Sequence, residues 1–172
     1  KRRKDSKMTA KVTEDRQYRF FDKYLTDNLA TRLLRVNVAT KAVQDLTPGY
    51  ARWFQPDGGV SYDLSPDGSQ LVLTLNSTPP PYREFLNSDL YLLPTDGSGK
   101  WTNLTAENPG QDSRAVFAPD GQSLLYLRTE TPYYSGESAK LWRHDLATGK
   151  NTPMTEALDY SFDQVEFAPD GK

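Results

Sequence analysis

Cysteine is missing from the 172 residues altogether. Its absence removes disulfide staples, thiolate nucleophiles and cysteine metal sites together, yet leaves the compartment open, since such a chain suits the cytoplasm or the periplasm. No apolar run approaches the roughly 20 residues of a membrane helix, so no membrane partner is expected. Basic excess is lacking too: the formal charge is -2, which gives nucleic acid no field to follow. Metal-ligand spacings, a phosphate loop and a calcium-binding repeat are all missing, so neither metal nor cofactor is expected. An initiating methionine is also lacking, and Met8 sits inside a polar stretch, so the chain is expected to begin partway along a longer product. The basic start Lys1-Arg2-Arg3-Lys4 has no apolar stretch behind it, unlike a signal peptide, and residues 1–11 read as a flexible flank.

What is present is a repeat, the feature to seek before any other. Ser65-Pro66-Asp67-Gly68, Ala118-Pro119-Asp120-Gly121 and Ala168-Pro169-Asp170-Gly171 share one pattern, with starts 53 and 50 residues apart. Each follows a short strand, Tyr62 to Leu64, Ala115 to Phe117 and Val165 to Phe167. A second apolar run, Leu71 to Leu75 or Leu124 to Leu127, comes after the first two. Proline presets the first central position of a type I turn, Asp accepts the next, and Gly takes the left-handed conformation of a bulge. The tetrapeptide is therefore a hairpin turn. Its flanking strands are apolar at nearly every position, as expected when both faces are covered.

Downstream, Leu33 to Val38, Asp89 to Leu93 and Leu141 to Leu146 read as third strands, each entering a polar turn such as Ala147-Thr148-Gly149-Lys150. A short last strand ends at Leu46-Thr47, Leu104-Thr105 or Met154-Thr155, and from each of the latter two threonines the next Pro-Asp-Gly proline is 14 residues on. Four antiparallel strands in about fifty residues is the size and order of a propeller blade. The expected fold class is all-β: a β-propeller fragment with two complete four-stranded antiparallel blades plus parts of two more. Residues 12–172 form the partial propeller, with an incomplete blade at 12–47 (about three strands from Gln17 to Leu46), blades at 60–105 and 113–155, and the first strand and turn of a truncated blade at 163–172. Gln55-Pro56-Asp57-Gly58 lies only ten residues before the next copy and belongs to an inter-blade loop.

These turns, with Asn87-Ser88-Asp89-Leu90-Tyr91-Leu92, Asp145-Leu146-Ala147-Thr148-Gly149-Lys150 and Tyr18-Arg19-Phe20-Phe21-Asp22, resemble the N-terminal propeller of the prolyl oligopeptidase family, of the acylaminoacyl-peptidase or dipeptidyl-peptidase type. The resemblance implies a propeller stacked on a C-terminal α/β-hydrolase domain of the same parent chain. That domain would carry a Ser, Asp and His triad, and the propeller would admit short peptides to it. No Gly-x-Ser-x-Gly elbow occurs in the sequence, and the lone His144 matches no hydrolase motif. No catalytic residue is therefore expected in this chain, and His144 reads as a packing or surface residue. The alternative from another class is a TolB-like, non-enzymatic propeller that binds a protein.

Strand direction alternates, so loops sort onto two faces. The short Pro-Asp-Gly and Ala-Thr-Gly-Lys turns share one; the loops joining second to third strands, and blade to blade, share the other. The second set is longer and aromatic, and long loops on a rigid scaffold carry binding. The candidates for substrate or domain-interface contact are Arg52, Trp53, Tyr82, Arg83, Tyr133 and Tyr134; the rival reading is that these aromatics pack onto their own blades. Asp67, Asp120 and Asp170 read as turn residues.

Overall fold

The structure, a computed structural model, describes residues 12–14, 18–25, 30–50, 53–55, 59–79, 87–132, 134 and 136–168. Among them are twelve strands and no helix. Two short hairpins come first: β1 (Arg19–Phe20) with β2 (Lys23–Tyr24), and β3 (Leu34–Val36) with β4 (Val43–Asp45). Next, β5 (Tyr62–Leu64), β6 (Gln70–Asn76), β7 (Ser88–Pro94) and β8 (Thr102–Asn103) form one four-stranded sheet. A second comprises β9 (Asp112–Phe117), β10 (Ser123–Arg128), β11 (Lys140–Asp145) and β12 (Asn151–Pro153). Every pairing is antiparallel and joins sequence neighbours, which is the meander of a propeller blade.

The repeated turns close as their chemistry dictates. Gly68 and Gly121 have φ of 70° and 68°, and their amides donate to the carbonyls of Ser65 and Ala118 at 2.8 Å. Asp67 accepts from the Ser65 hydroxyl and from the amide and hydroxyl of Ser69; these bonds, Ser65 first, hold its carboxyl down at about 2. In the last turn of the second blade Gly149 has φ of 71°, and Lys41 occupies the corresponding place after β3 with φ of 61°. A side chain there is strained by roughly 1 kcal/mol. Gly149→Ala is therefore expected to cost about 1 kcal/mol in chemical denaturation, whereas Lys41→Gly is expected to leave stability level or raise it slightly.

The recurring threonines finish each unit. Amides of Leu33, Leu90 and Leu141 donate to the hydroxyls of Thr47, Thr105 and Thr155 at 3.2, 3.0 and 2.9 Å. Each threonine carbonyl then accepts from the residue three further on, Tyr50, Asn108 or Leu158. A side chain thus continues the ladder where the last strand turns away, and a small β-branched residue with a hydroxyl suits that place.

Both faces of the first complete blade are covered. On one face Leu71, Leu73, Leu75 and Leu93 pack with Tyr50 and Phe54 of the preceding segment. On the other, Val72 and Leu90 meet Ala115, Phe117, Leu124 and Tyr126 of the next blade. Each fully buried leucine contributes about 2 kcal/mol. The blades are also stitched by polar bonds: the Phe117 amide donates to the Asp63 carboxylate at 2.7 Å, and the Ser88 hydroxyl to the Asp112 carbonyl at 3.2 Å.

The segment before the first complete blade holds two hairpins among its described residues. β1–β2 and β3–β4 are separate two-stranded ladders, and the outward face of the second leaves Leu34, Val36, Val38 and Val43 exposed. Among the described residues no neighbouring sheet covers that face. Residues 163–168 form no strand. Pro169 itself, and the Pro56-Asp57-Gly58 copy, lie outside the described residues.

Candidate functional site at the junction of two blades

β9 contains an irregularity. Asp112 and Ser113 pair with Arg128 and Leu127, and Val116 and Phe117 with Leu125 and Leu124, so Arg114 and Ala115 together face Tyr126. Arg114 has φ of 56°. This is a bulge of the kind whose first residue is ordinarily glycine, and an arginine is held there at a conformational cost. Strand direction shifts at the bulge, and the Arg114 side chain is exposed.

Beside it lies a pocket of about 280 Å³, walled by Ser61 before β5, Thr74 of β6, Ser88 of β7, and Gln111, Ser113 and Arg114 at the start of β9. It sits at the ends of the sheets where β6 passes to β7 and one blade passes to the next, the face that carries the longer loops. Among the described lining residues are four hydroxyl-bearing side chains and one guanidinium, and no carboxylate. Thr74 is 2% exposed, and its hydroxyl has no hydrogen-bond partner. Arg114 makes no ion pair or hydrogen bond among the described residues.

The strand bearing Arg114 is anchored from behind. Asp112, fully buried, accepts from Arg128 Nε at 2.7 Å and from Asn108 Nδ2 at 3.0 Å. Arg128 Nη2 reaches Glu107 at 2.9 Å, and its guanidinium lies 4.5 Å from the centre of the Trp142 ring. Burial pushes the Asp112 carboxyl up to about 6, against the pull of Arg128. Arg128 is itself raised, its burial outweighed by the two carboxylates, Asp112 first. At pH 7 the pair is charged, held by the short Arg128 Nε–Asp112 bond while the other arm of the guanidinium engages Glu107.

A second chain of bonds fixes His144. The Asn151 amide donates to the Leu104 carbonyl and to Glu107, which orients its oxygen toward Tyr126 and His144. Nδ1 of His144, 2.8 Å from that oxygen, must then carry the proton. The ring is 3% exposed, a packing role as expected from its strand position.

The residues singled out by sequence fall variously. Trp53 is 6% exposed, its indole nitrogen donating to the Leu25 carbonyl at 3.2 Å, and its neighbours Tyr50 and Phe54 are core. Tyr134 is exposed. Arg52, Tyr82, Arg83 and Tyr133 lie outside the described residues. Arg114 was not among the candidates. The only signal was a polar triplet, Asp112-Ser113-Arg114, directly before an apolar strand.

The sequential four-stranded sheets, their shared inter-blade core and the repeated turns define an all-β, β-propeller fragment. Relatives named dipeptidyl-peptidase 5 match most of it. The protein of that name from Porphyromonas gingivalis is 28% identical over 96% of this chain, and that from Aspergillus fumigatus 32% identical over 69%. This chain is similar, as its sequence suggested, to the propeller of prolyl oligopeptidase-type peptidases. It spans a quarter of the length of the bacterial relative (25%) and 18% of the fungal one. Among solved structures, TolB from Acinetobacter baumannii superposes with a TM-score of 0.56 at 19% identity, covering 81% of this chain and 30% of TolB. A puromycin-hydrolyzing peptidase from Mycobacterium tuberculosis gives 0.50 at 20% identity, covering 72% and 20%. At such identities the likeness concerns the fold. No protein-family profile matches the chain.

Proposed function

We propose that this chain is the non-catalytic propeller portion of a serine peptidase of the dipeptidyl or acylaminoacyl kind, gating peptide access to an α/β-hydrolase domain of the same parent chain. The observation that carries this reading is the identity with the Porphyromonas dipeptidyl-peptidase over 96% of the chain. The sequence adds that no Gly-x-Ser-x-Gly elbow lies within it, so the nucleophile would come from elsewhere in the parent. The long-loop face, with Arg52, Tyr82, Arg83, Tyr133 and Tyr134, would turn toward the hydrolase domain or the peptide; Trp53 would act there only by holding its loop.

Chromogenic dipeptidyl, aminoacyl and N-acylaminoacyl substrates offered to the intact protein test this. Dipeptidyl or N-acylaminoacyl cleavage is expected, through an acyl-enzyme intermediate that an active-site serine reagent blocks. Absence of any cleavage would favour a propeller that only binds. Tyr82→Ala with Arg83→Ala is expected to change kcat/KM while thermal unfolding of the propeller stays within about 0.5 kcal/mol.

A further inference from the structure

We propose that the pocket between the two complete blades is a carboxylate-binding site, in which the Arg114 guanidinium and the Thr74 hydroxyl hold a carboxylate of a short peptide. The peptide in that statement rests on the peptidase reading; the carboxylate rests on the pocket alone.

Three independent features point there. Among the described residues that line the cavity Arg114 is the only ionised side chain, and no described anion pairs with it. Its forked, planar donors match a carboxylate's two oxygens. Thr74 also lines the cavity, and its hydroxyl is buried without a partner; a buried donor left unmade is costly enough that a ligand oxygen is its natural complement. Arg114 also sits at φ 56°, where glycine would be easier, so the guanidinium is kept in place against backbone preference. Charge balance selects the ligand class. One guanidinium neutralises one carboxylate, whereas a phosphate near two negative charges would stay half compensated in a wall of neutral hydroxyls and amides. At about 280 Å³ the cavity is near the lower end of small-ligand sites, roughly 300 Å³, and suits the end or one side chain of a peptide rather than a folded partner.

Titration calorimetry on the intact protein tests this with three probes blocked at the amino end: acetyl-diglycine, acetyl-diglycine amide, and acetyl-glutamic acid α-amide. Binding is read without turnover, so the result stands whatever the parent hydrolyses. One or both free carboxylates are expected to bind, and the neutral amide at least about tenfold more weakly. Binding by acetyl-diglycine alone assigns a terminal carboxylate, and by the glutamyl probe alone a side chain; either sustains the proposal. Arg114→Gly is expected to lose at least about tenfold in affinity while its melting temperature stays level or rises slightly, because glycine relieves the left-handed strain. A purely structural arginine would not separate these two readouts. Should Arg114→Gly fail to fold, Arg114→Gln carries the same expected loss at a wild-type melting temperature. Thr74→Val is expected to weaken binding about threefold to tenfold. Equal affinity for the neutral amide, no binding by either carboxylate, or a folded Arg114 variant that binds like wild type would overturn the proposal.

Discussion

Replacing Arg128 with methionine is expected to cost about 4 kcal/mol of stability at pH 7.5, and distinctly less at pH 5. The guanidinium is 4% exposed and Asp112 is wholly buried, so removing the cation strands a carboxylate held only by neutral side-chain donors, the Asn108 amide and the Thr105 hydroxyl. The pH term follows from the sign of the shift. Burial raises the folded-state carboxyl to about 6, above the usual value near 3.9 of an unfolded chain. The native state therefore binds the extra proton between those values. Stability linked to this group is complete below about pH 4 and is lost as pH rises through about 6. Without Arg128 the carboxyl rises further, so at pH 5 it is neutral and the stranded charge disappears. Urea denaturation at the two pH values measures this. A penalty equal at both would contradict the stranded-carboxylate account. Adding Asp112→Leu to the variant is expected to restore about half the loss, since a pair replaced by apolar groups is far less costly than a pair broken.

Phe54→Ala is expected to destabilise by a similar amount, about 4 kcal/mol. Phe54 is fully buried. Its ring lies 5.4 Å from that of Tyr50 in a tilted pair, against the Leu71, Leu73 and Leu75 face of the first complete blade. Its carbonyl also accepts from the Asn76 amide at 3.0 Å. Truncation would thus open a cavity where the inter-blade segment docks onto the sheet end. Tyr134→Ala, at an exposed position, is expected to change stability by less than about 0.5 kcal/mol. Equal losses for the two variants would show that burial does not separate core aromatics from surface ones on this face.

That separation marks where the sequence stops being legible. Pro-Asp-Gly turns could be read because proline and glycine each answer a backbone demand that few other residues meet, and the strands they punctuate were long and apolar enough to place two blades. The threonines at 47, 105 and 155 could be seen as landmarks, but not as caps. Their hydroxyls meet amides fourteen or fifteen residues earlier in the chain, a relation only the folded register creates. Trp53 and Tyr134 both looked like loop aromatics; which one is buried depends on the sheet beneath. Arg114 was the least legible, because a left-handed arginine follows from the bulge opposite Tyr126 and no local signal calls for one.

If the arc gates a peptidase as proposed, short peptides reach the nucleophile and folded chains do not. The most direct measurement is the rate at which the intact protein cleaves a graded series, from a dipeptidyl chromogenic substrate through peptides of increasing length to a folded protein. The account predicts turnover of the short members, a steep fall with length, and no cleavage of the folded protein. Cleavage of the folded protein at a rate comparable with the dipeptidyl substrate, or cleavage of none of the series, would contradict it.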